Sequence, residues 1–385
     1  PQGRGRPREA PTLTLPVRVQ TALPLNPALV NTARISGTEG LSATVTITNS
    51  VTTENLLKME TGVVNAGTAW TTVSLQNRYR DPVIVTTPNY DGGDAPMVVR
   101  LRDVTAGNFE LRLQNPGDPT YNVGSHPVHY MVMEQGAFTL PDGRRIEAQR
   151  YLSTQTADDG NWAGDPQTYL QSYTDPVVIG QVMSINDPDW SVFWERGAST
   201  SSPPDHDGLY TGKSVCEDPD TTRDDETVGF IVIEQGHGTL GTVAYEAWLG
   251  DRSVRGFGDS PPYRYTFQAP FDAPPEVGLA TKAEVRGPNG GWAMLYGPDA
   301  LMADSIGLAV DEDQIGDPER NHTQERVAYV VFGEAAVVRP THDLWISHEA
   351  DPDPALAGAP LNYHVTYTNT GVLTATDVVI TLGFF

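Results

Sequence analysis

Apolar and polar positions along this chain fall into short runs of strand length. The stretch VGFIVIEQG, Val228 to Gly236, sets Phe230, Val232 and β-branched neighbours in a brief apolar run that ends at a polar stop, the pattern of a buried strand. Val128 to Gly136 (VHYMVMEQG) and Val327 to Glu334 (VAYVVFGE) repeat it, so Tyr130, Phe230 and Tyr329 stand about 100 residues apart, the spacing of tandem copies of one unit. Upstream of each copy lies a second landmark: Leu75 to Val85, Leu170 to Gly180 and Phe267 to Leu279 each place a hydrophobe before Gln, then an aromatic, then Pro entering a β-branched strand. A third pairs a small or acidic residue with a large aromatic: Asn108-Phe109, Asp189-Trp190 and Gly291-Trp292. The pattern predicts an all-β chain of tandem antiparallel β-sandwiches. Helical periodicity is nowhere sustained, and Ala300 to Ala309 is a weak helical candidate.

In chain order the expected units are an N-terminal extension or partial β unit over 1–59, sandwiches over 60–136, 137–236 and 237–338, and a partial domain over 339–385. Leu13, Leu15, Val17 and Val19 alternate as a strand does, interrupted by Pro16, which suits an edge position. Asn26 to Val30 echoes Asp81 to Val85, and Met59 to Gly62 echoes Met133 to Gly136, so residues 11–60 read as a shortened, degenerate repeat or a partial sandwich that needs strands from elsewhere. The second unit carries a long polar insertion, Gly197 to Glu226, and the third a loop between Asp311 and Gln324. Because each unit's terminal strand leads directly into the next, linkers are short and the expected arrangement is a stiff rod. The chain reaches Phe385 too soon for its last domain to close as a sandwich, so either the natural chain continues or a partner completes it.

The formal net charge of -24 opposes binding to phosphate backbones or an anionic membrane. The basic N-terminus, Arg4, Arg6 and Arg8, is too short to reverse that. One cysteine, Cys216, allows no internal disulfide and no cysteine-based metal cluster. No apolar run approaches membrane-spanning length.

The units resemble H-type lectin domains, the β-sandwich family of snail agglutinins and discoidins. The residues that carry the likeness are Trp70 with Val73-Ser74-Leu75, the Pro82-Val83 strand, Arg100 to Val104 before Phe109, the Val128-His129-Tyr130 strand, and His322 to Tyr329 in the third unit. From Asp343 onward the chain resembles the immunoglobulin-like conserved-repeat domain of large bacterial surface proteins, through Ala350-Asp351-Pro352, Gly358, Tyr363 and Asn369-Thr370-Gly371. The first resemblance implies six-stranded sandwiches that bind N-acetylgalactosamine-type sugars, often at edges shared within a trimer. It makes Arg100 the nearest match to a sugar-contacting arginine of that family, with the Asp91 and Asp94 turn beside it. Arg286 is a less certain counterpart in the third unit. These motifs consist of core and turn residues, which specify fold more than function.

Other chemistry is sparse. Trp162, Trp190, Trp194 and Trp292 could stack on sugar rings, but for Trp190 and Trp292 the core position held by Phe109 is the plainer reading. Asp91/Asp94, Asp205 to Gly208 and Asp311 to Asp313 offer oxygen ligands suited to calcium; no full calcium motif supports a cofactor, and solvated acidic turns are the simpler account. Hydrolase, zinc-protease and phosphate-loop motifs are absent, so no enzymatic role is expected. Glu134 and Glu234 recur at unit boundaries, which suits a structural hydrogen bond to a turn better than repeated active sites. Cys216 reads as an idle or buried thiol, and Asn321-His322-Thr323 matches a glycosylation acceptor.

Two functions stay open. One is a secreted or cell-surface bacterial protein whose lectin-like modules bind glycans in adhesion. The other is a structural subunit of an extracellular filament, sheath or surface layer. There, residues 11–35 would cover a neighbour's open strand edge and the chain would form a head-to-tail homopolymer.

Overall fold

A computed structural model describes residues 28–36, 42–50, 57–340, 343–351 and 362–372. The chain divides into two compact units, one of residues 56–340 and one of residues 1–55 with 341–385. Within the second, Ala28–Ser36 pairs with Ser42–Ser50, and Leu344–Asp351 with Asn362–Asn369, each as an antiparallel hairpin. Leu13, Leu15, Val17 and Val19 lie outside the described residues.

Residues 56–340 form the body, and it is all-β apart from one short 3-10 turn. The strands of its first sandwich are β1 (Met59–Ala66), β2 (Thr71–Ser74), β3 (Pro82–Tyr90), β4 (Val98–Arg102), β5 (Asn108–Gln114) and β6 (His126–Glu134). A trailing strand β7 (Gly136–Thr139) leads to the second set: β8 (Arg145–Ser153), β9 (Asp165–Gln167), β10 (Pro176–Val182), β11 (Val192–Arg196), β12 (Leu209–Ser214) and β13 (Glu226–Glu234). The third follows β14 (Gly236–Leu240): β15 (Val243–Leu249), β16 (Tyr263–Thr266), β17 (Val277–Lys282), β18 (Trp292–Tyr296), β19 (Ser305–Asp311) and β20 (Val327–Phe332), with β21 (Val337–Val338) behind it.

Every unit repeats one topology. The first, sixth and third strands form one sheet, and the second, fifth and fourth form the facing sheet. Pairing registers fix the equivalences: Tyr130, Phe230 and Tyr329 lie opposite Thr86, Gly180 and Ala280 on the third strands. Alternation sets each core, since Val99, Leu101, Phe109, Leu111 and Leu113 point inward with at most 7% exposure. The helical candidate Ala300 to Ala309 is instead a hairpin, Leu301–Met302 against Ser305–Asp311. Asp304 turns it, and Ile306, Leu308 and Val310 face the core.

The expected rod is corrected to a ring. β7 leaves the first unit and pairs with β8 of the second; β14 leaves the second and pairs with β15 of the third. β21 leaves the third and returns to β1 of the first, pairing Val337 with Glu60 and Val338 with Met59. Thr61 N donates to Ala336 O at 2.9 Å, and Ala336 N donates to Thr61 Oγ1 at 3.0 Å. Each unit's third strand packs on the sixth strand of the next: β3 on β13, β10 on β20, β17 on β6.

The three third strands also meet one another about a pseudo-threefold axis. Thr86 Oγ1 bonds Gln181 Oε1 at 2.7 Å, Gly180 N donates to Thr281 Oγ1 at 3.3 Å, and Ala280 N donates to Thr87 Oγ1 at 2.9 Å. At Gly229 a Cβ would collide with Met183 Sδ and stand 3.0 Å from Val83 Cγ1, so the absence of one lets these side chains close over β13. Met59 to Gly62 therefore opens the first sandwich rather than closing an earlier repeat.

Candidate functional site

The recurrent glutamates are structural. Glu134 accepts from Arg80 N and Asp81 N at 2.9 and 2.8 Å, and Glu234 from Thr174 N and Asp175 N at about the same lengths. A second set escaped sequence reading. Glu60, Glu147 and Glu246 occupy one register position on the three first strands, all at most 3% exposed. They accept backbone N–H groups from the landmark turns at Gln76 and Asn77, Leu170 and Gln171, and Ala269. Each carboxylate satisfies a turn that would otherwise bury unpaired donors. The available signal was a Glu following an apolar residue at the start of each first strand, in MET, IEA and YEA.

Arg100 does not reach a concave edge. It is 3% exposed, and its guanidinium donates to Gln114 Oε1, Pro188 O and Asp187 O, tying the first unit to the second. Its counterparts are Trp194 and Met294; Arg286 lies in a loop, where its N–H donates to Glu325. Asp91 and Asp94 shape a turn of their own: Asp91 N donates to Asp94 Oδ2 and Gly93 N to Asp91 Oδ1. Arg320 from the third unit donates to Asp94 O at 2.7 Å. The three residues are not brought together as a site.

The tryptophans differ from expectation too. Phe109 lies on a fifth strand, whereas Trp292 opens a fourth strand and Trp190 precedes one, so the three are not equivalent. Trp190 and Trp292 meet edge to face at 6.0 Å in a buried cluster with Val98, Val192 and Cys216. Trp194 is buried against Trp162 and Val285. Asp311 to Asp313 are not solvated: all three are at most 1% exposed. Asp311 holds Arg320 in a two-pronged ion pair and accepts Tyr90 Oη, while Glu312 and Glu325 clasp His322 from both sides. Among the described residues no group of three His, Cys, Asp or Glu is placed to hold a metal. Burial pushes the Cys216 thiol up to about 12, which disfavours the thiolate near neutrality.

The three seams, equivalent by fold, are filled differently. Between the first and second units Asp81 pairs with Arg150 at 2.6 Å. At the equivalent positions between the second and third stand Asp175 and Leu249, and no such pair forms. Between the third and first stand Pro275 and Val63. The middle seam opens instead into a groove of about 420 Å³ lined by Asp175, Ser201, Ser202, His206, Arg252 and Arg326, with Pro176, Pro203, Pro204 and Leu249 as its apolar part.

The polar insertion seen in the sequence builds one wall. Its turn is fixed by Asp205 Oδ1, which accepts Asp207 N and Gly208 N, and by Tyr169 Oη donating to Asp205 O. Val285 N donates to Thr200 O across the seam. Arg252 is anchored two-pronged on Glu284 at 2.6 and 2.7 Å and donates to Ser201 O. Arg326 donates through Nη1 to Gly250 O, which sets its guanidinium at the rim. The groove thus holds hydroxyls, carboxylate and two guanidinium groups, donors and acceptors suited to a hydroxylated ligand.

No helix among the described residues is long and apolar enough to cross a membrane. No protein-family model matches the chain, and no solved structure matches it. Among curated proteins the chain is similar to Halomucin from Haloquadratum walsbyi, 25% identical over 345 residues, an alignment that covers 80% of this chain and 3% of that far longer protein.

Proposed function

We propose that this chain is part of an extracellular surface protein and that its three-sandwich body binds glycans in the groove between the second and third units. The observation that carries the reading is that the seam between the second and third units opens into a groove lined with hydroxyl, carboxylate and guanidinium groups. A groove of about 420 Å³ suits one or two sugar rings, whose hydroxyls need paired donors and acceptors. Likeness to Halomucin supports the location. The six-stranded units support the lectin-like character.

The test is a glycan array of the full chain. Arg326→Ala and Asp175→Ala should each weaken the bound neutral sugars about tenfold, the loss expected for a charged hydrogen bond, and Asp175→Ala should do so without moving the melting temperature. A silent array with folded wild-type protein sinks the reading.

A further inference from the structure

The outer face of the β2–β5–β4 sheet in the first unit carries positive charge in a chain whose net charge is -24. Arg100 on β4 lies directly opposite Arg112 on β5, and Arg102 is one step further along the same face. Trp70, just before β2, completes the row: the Arg102 and Arg112 guanidinium carbons lie 4.1 and 4.8 Å from its ring centre. Arg102 is neutralised by Glu110, at 2.7 and 2.6 Å.

Arg112 is not neutralised. Its guanidinium donates to Gln114 Oε1 at 2.8 Å, the oxygen that Arg100 also uses, and its Nε is buried without a partner. Among the described residues no carboxylate forms an ion pair with either Arg100 or Arg112. Like charges directly opposite on a sheet repel, and here both sit in a partly desolvated place. The fold does not require them. Equivalent positions hold Trp194 and Gly212 in the second unit and Met294 and Ala309 in the third.

We propose that this face is an anion-binding site that takes the carboxylate or sulfate groups of an acidic polysaccharide, with Arg112 as the main contact and Trp70 holding its guanidinium in place. A planar guanidinium with unused donors matches such oxyanions. A polysaccharide strand fits better than an acidic protein, because a protein interface buries about 800 Å² on each side and would bring much of this acidic surface against like charge. A single strand presents far less surface to that repulsion, and low ionic strength strengthens its attraction to the arginines.

The experiment titrates the full chain at low ionic strength with dextran sulfate, alginate, neutral dextran and poly-glutamate. Binding of a sulfated or carboxylated polysaccharide is expected, without binding of neutral dextran. Arg112→Gln should weaken it about tenfold or more and Arg112→Lys less, since Lys keeps the charge but loses the fork. Asp175→Ala should leave it unchanged, which separates this site from the groove. Because Arg112→Gln could also disturb the sheet, arginine modification by phenylglyoxal provides a second readout in the wild type, with Arg112 expected to be protected by the bound polymer. The proposal is overturned if neither acidic polysaccharide binds, if Arg112→Gln binds as wild type does with Arg112 unprotected, or if poly-glutamate alone binds.

Discussion

Glu195 is the residue most at odds with its surroundings. It is fully buried on β11, and neither carboxylate oxygen has a partner. Leu101 and Leu295 hold the same position in the other units. Burial pushes its carboxyl well above the usual range. Unfolded, it loses its proton near a pH of about 4.3. Folded, it keeps the proton to a much higher pH. Each pH unit between those two values therefore favours the unfolded chain by about 1.4 kcal/mol. Glu195→Leu should stabilise the body by at least about 2 kcal/mol near neutrality, the usual cost of an unsatisfied buried polar group. Denaturant melts across pH 5 to 8 should show the gap between variant and wild type widening as pH rises; a constant gap would mean that the carboxyl finds a partner. Nothing in the sequence around Trp194-Glu195-Arg196 announces this, because the alternation of one short strand does not say which face is inward. Tyr130, Phe230 and Tyr329 were legible because an entire nine-residue pattern repeats around each. Arg100 was misplaced because its seam partners, Asp187 and Pro188, lie 87 and 88 residues away.

At the scale of elements, the trailing strands decide how the units are joined. β7 and β14 span four and five residues, whereas β21 spans two, so the seam that closes the ring has the shortest ladder. Ala336→Pro would remove the N–H that reaches Thr61 Oγ1. Hydrogen exchange should then quicken at Thr61 and along β1 while β8 and β15, covered by their own trailing strands, stay protected. Uniform loss of protection in all three units would show that the seams do not open separately. The sandwich strands were readable from their Val, Ile and aromatic runs. The trailing strands were not, since Gly136–Thr139, Gly236–Leu240 and Val337–Val338 share little beyond their place after a sixth strand. Their partners belong to the next unit, and sequence periodicity reports local geometry rather than such long-range pairing. Equal spacing of three units is as compatible with a rod as with a ring, and choosing between them takes the pairing of Val337 with Glu60.

For the whole body, closure has a topological consequence. Met59 lies opposite Val338, so the two ends of the body meet at one place on β1 and β21. Because each unit receives a trailing strand from the one before it, no unit is first or last in the packing, and the peptide links between units are interchangeable with the non-covalent seam. A body of residues 57–340 with its ends joined by a short Gly/Ser linker and new termini at Asp142-Gly143 should therefore fold. That turn is exposed, and Gly143 there takes a left-handed conformation with nothing within 4 Å of a Cβ. Its opening would leave β7 paired with β8 across the new break, as β21 and β1 are now. Calorimetry should give a single cooperative transition for the permutant, close to that of the unpermuted body. A rod of independent sandwiches would behave otherwise, because joining its distant ends would strain it and cutting at Asp142 would release the first unit as a separately melting piece. Two separate transitions in the permutant would reject the ring.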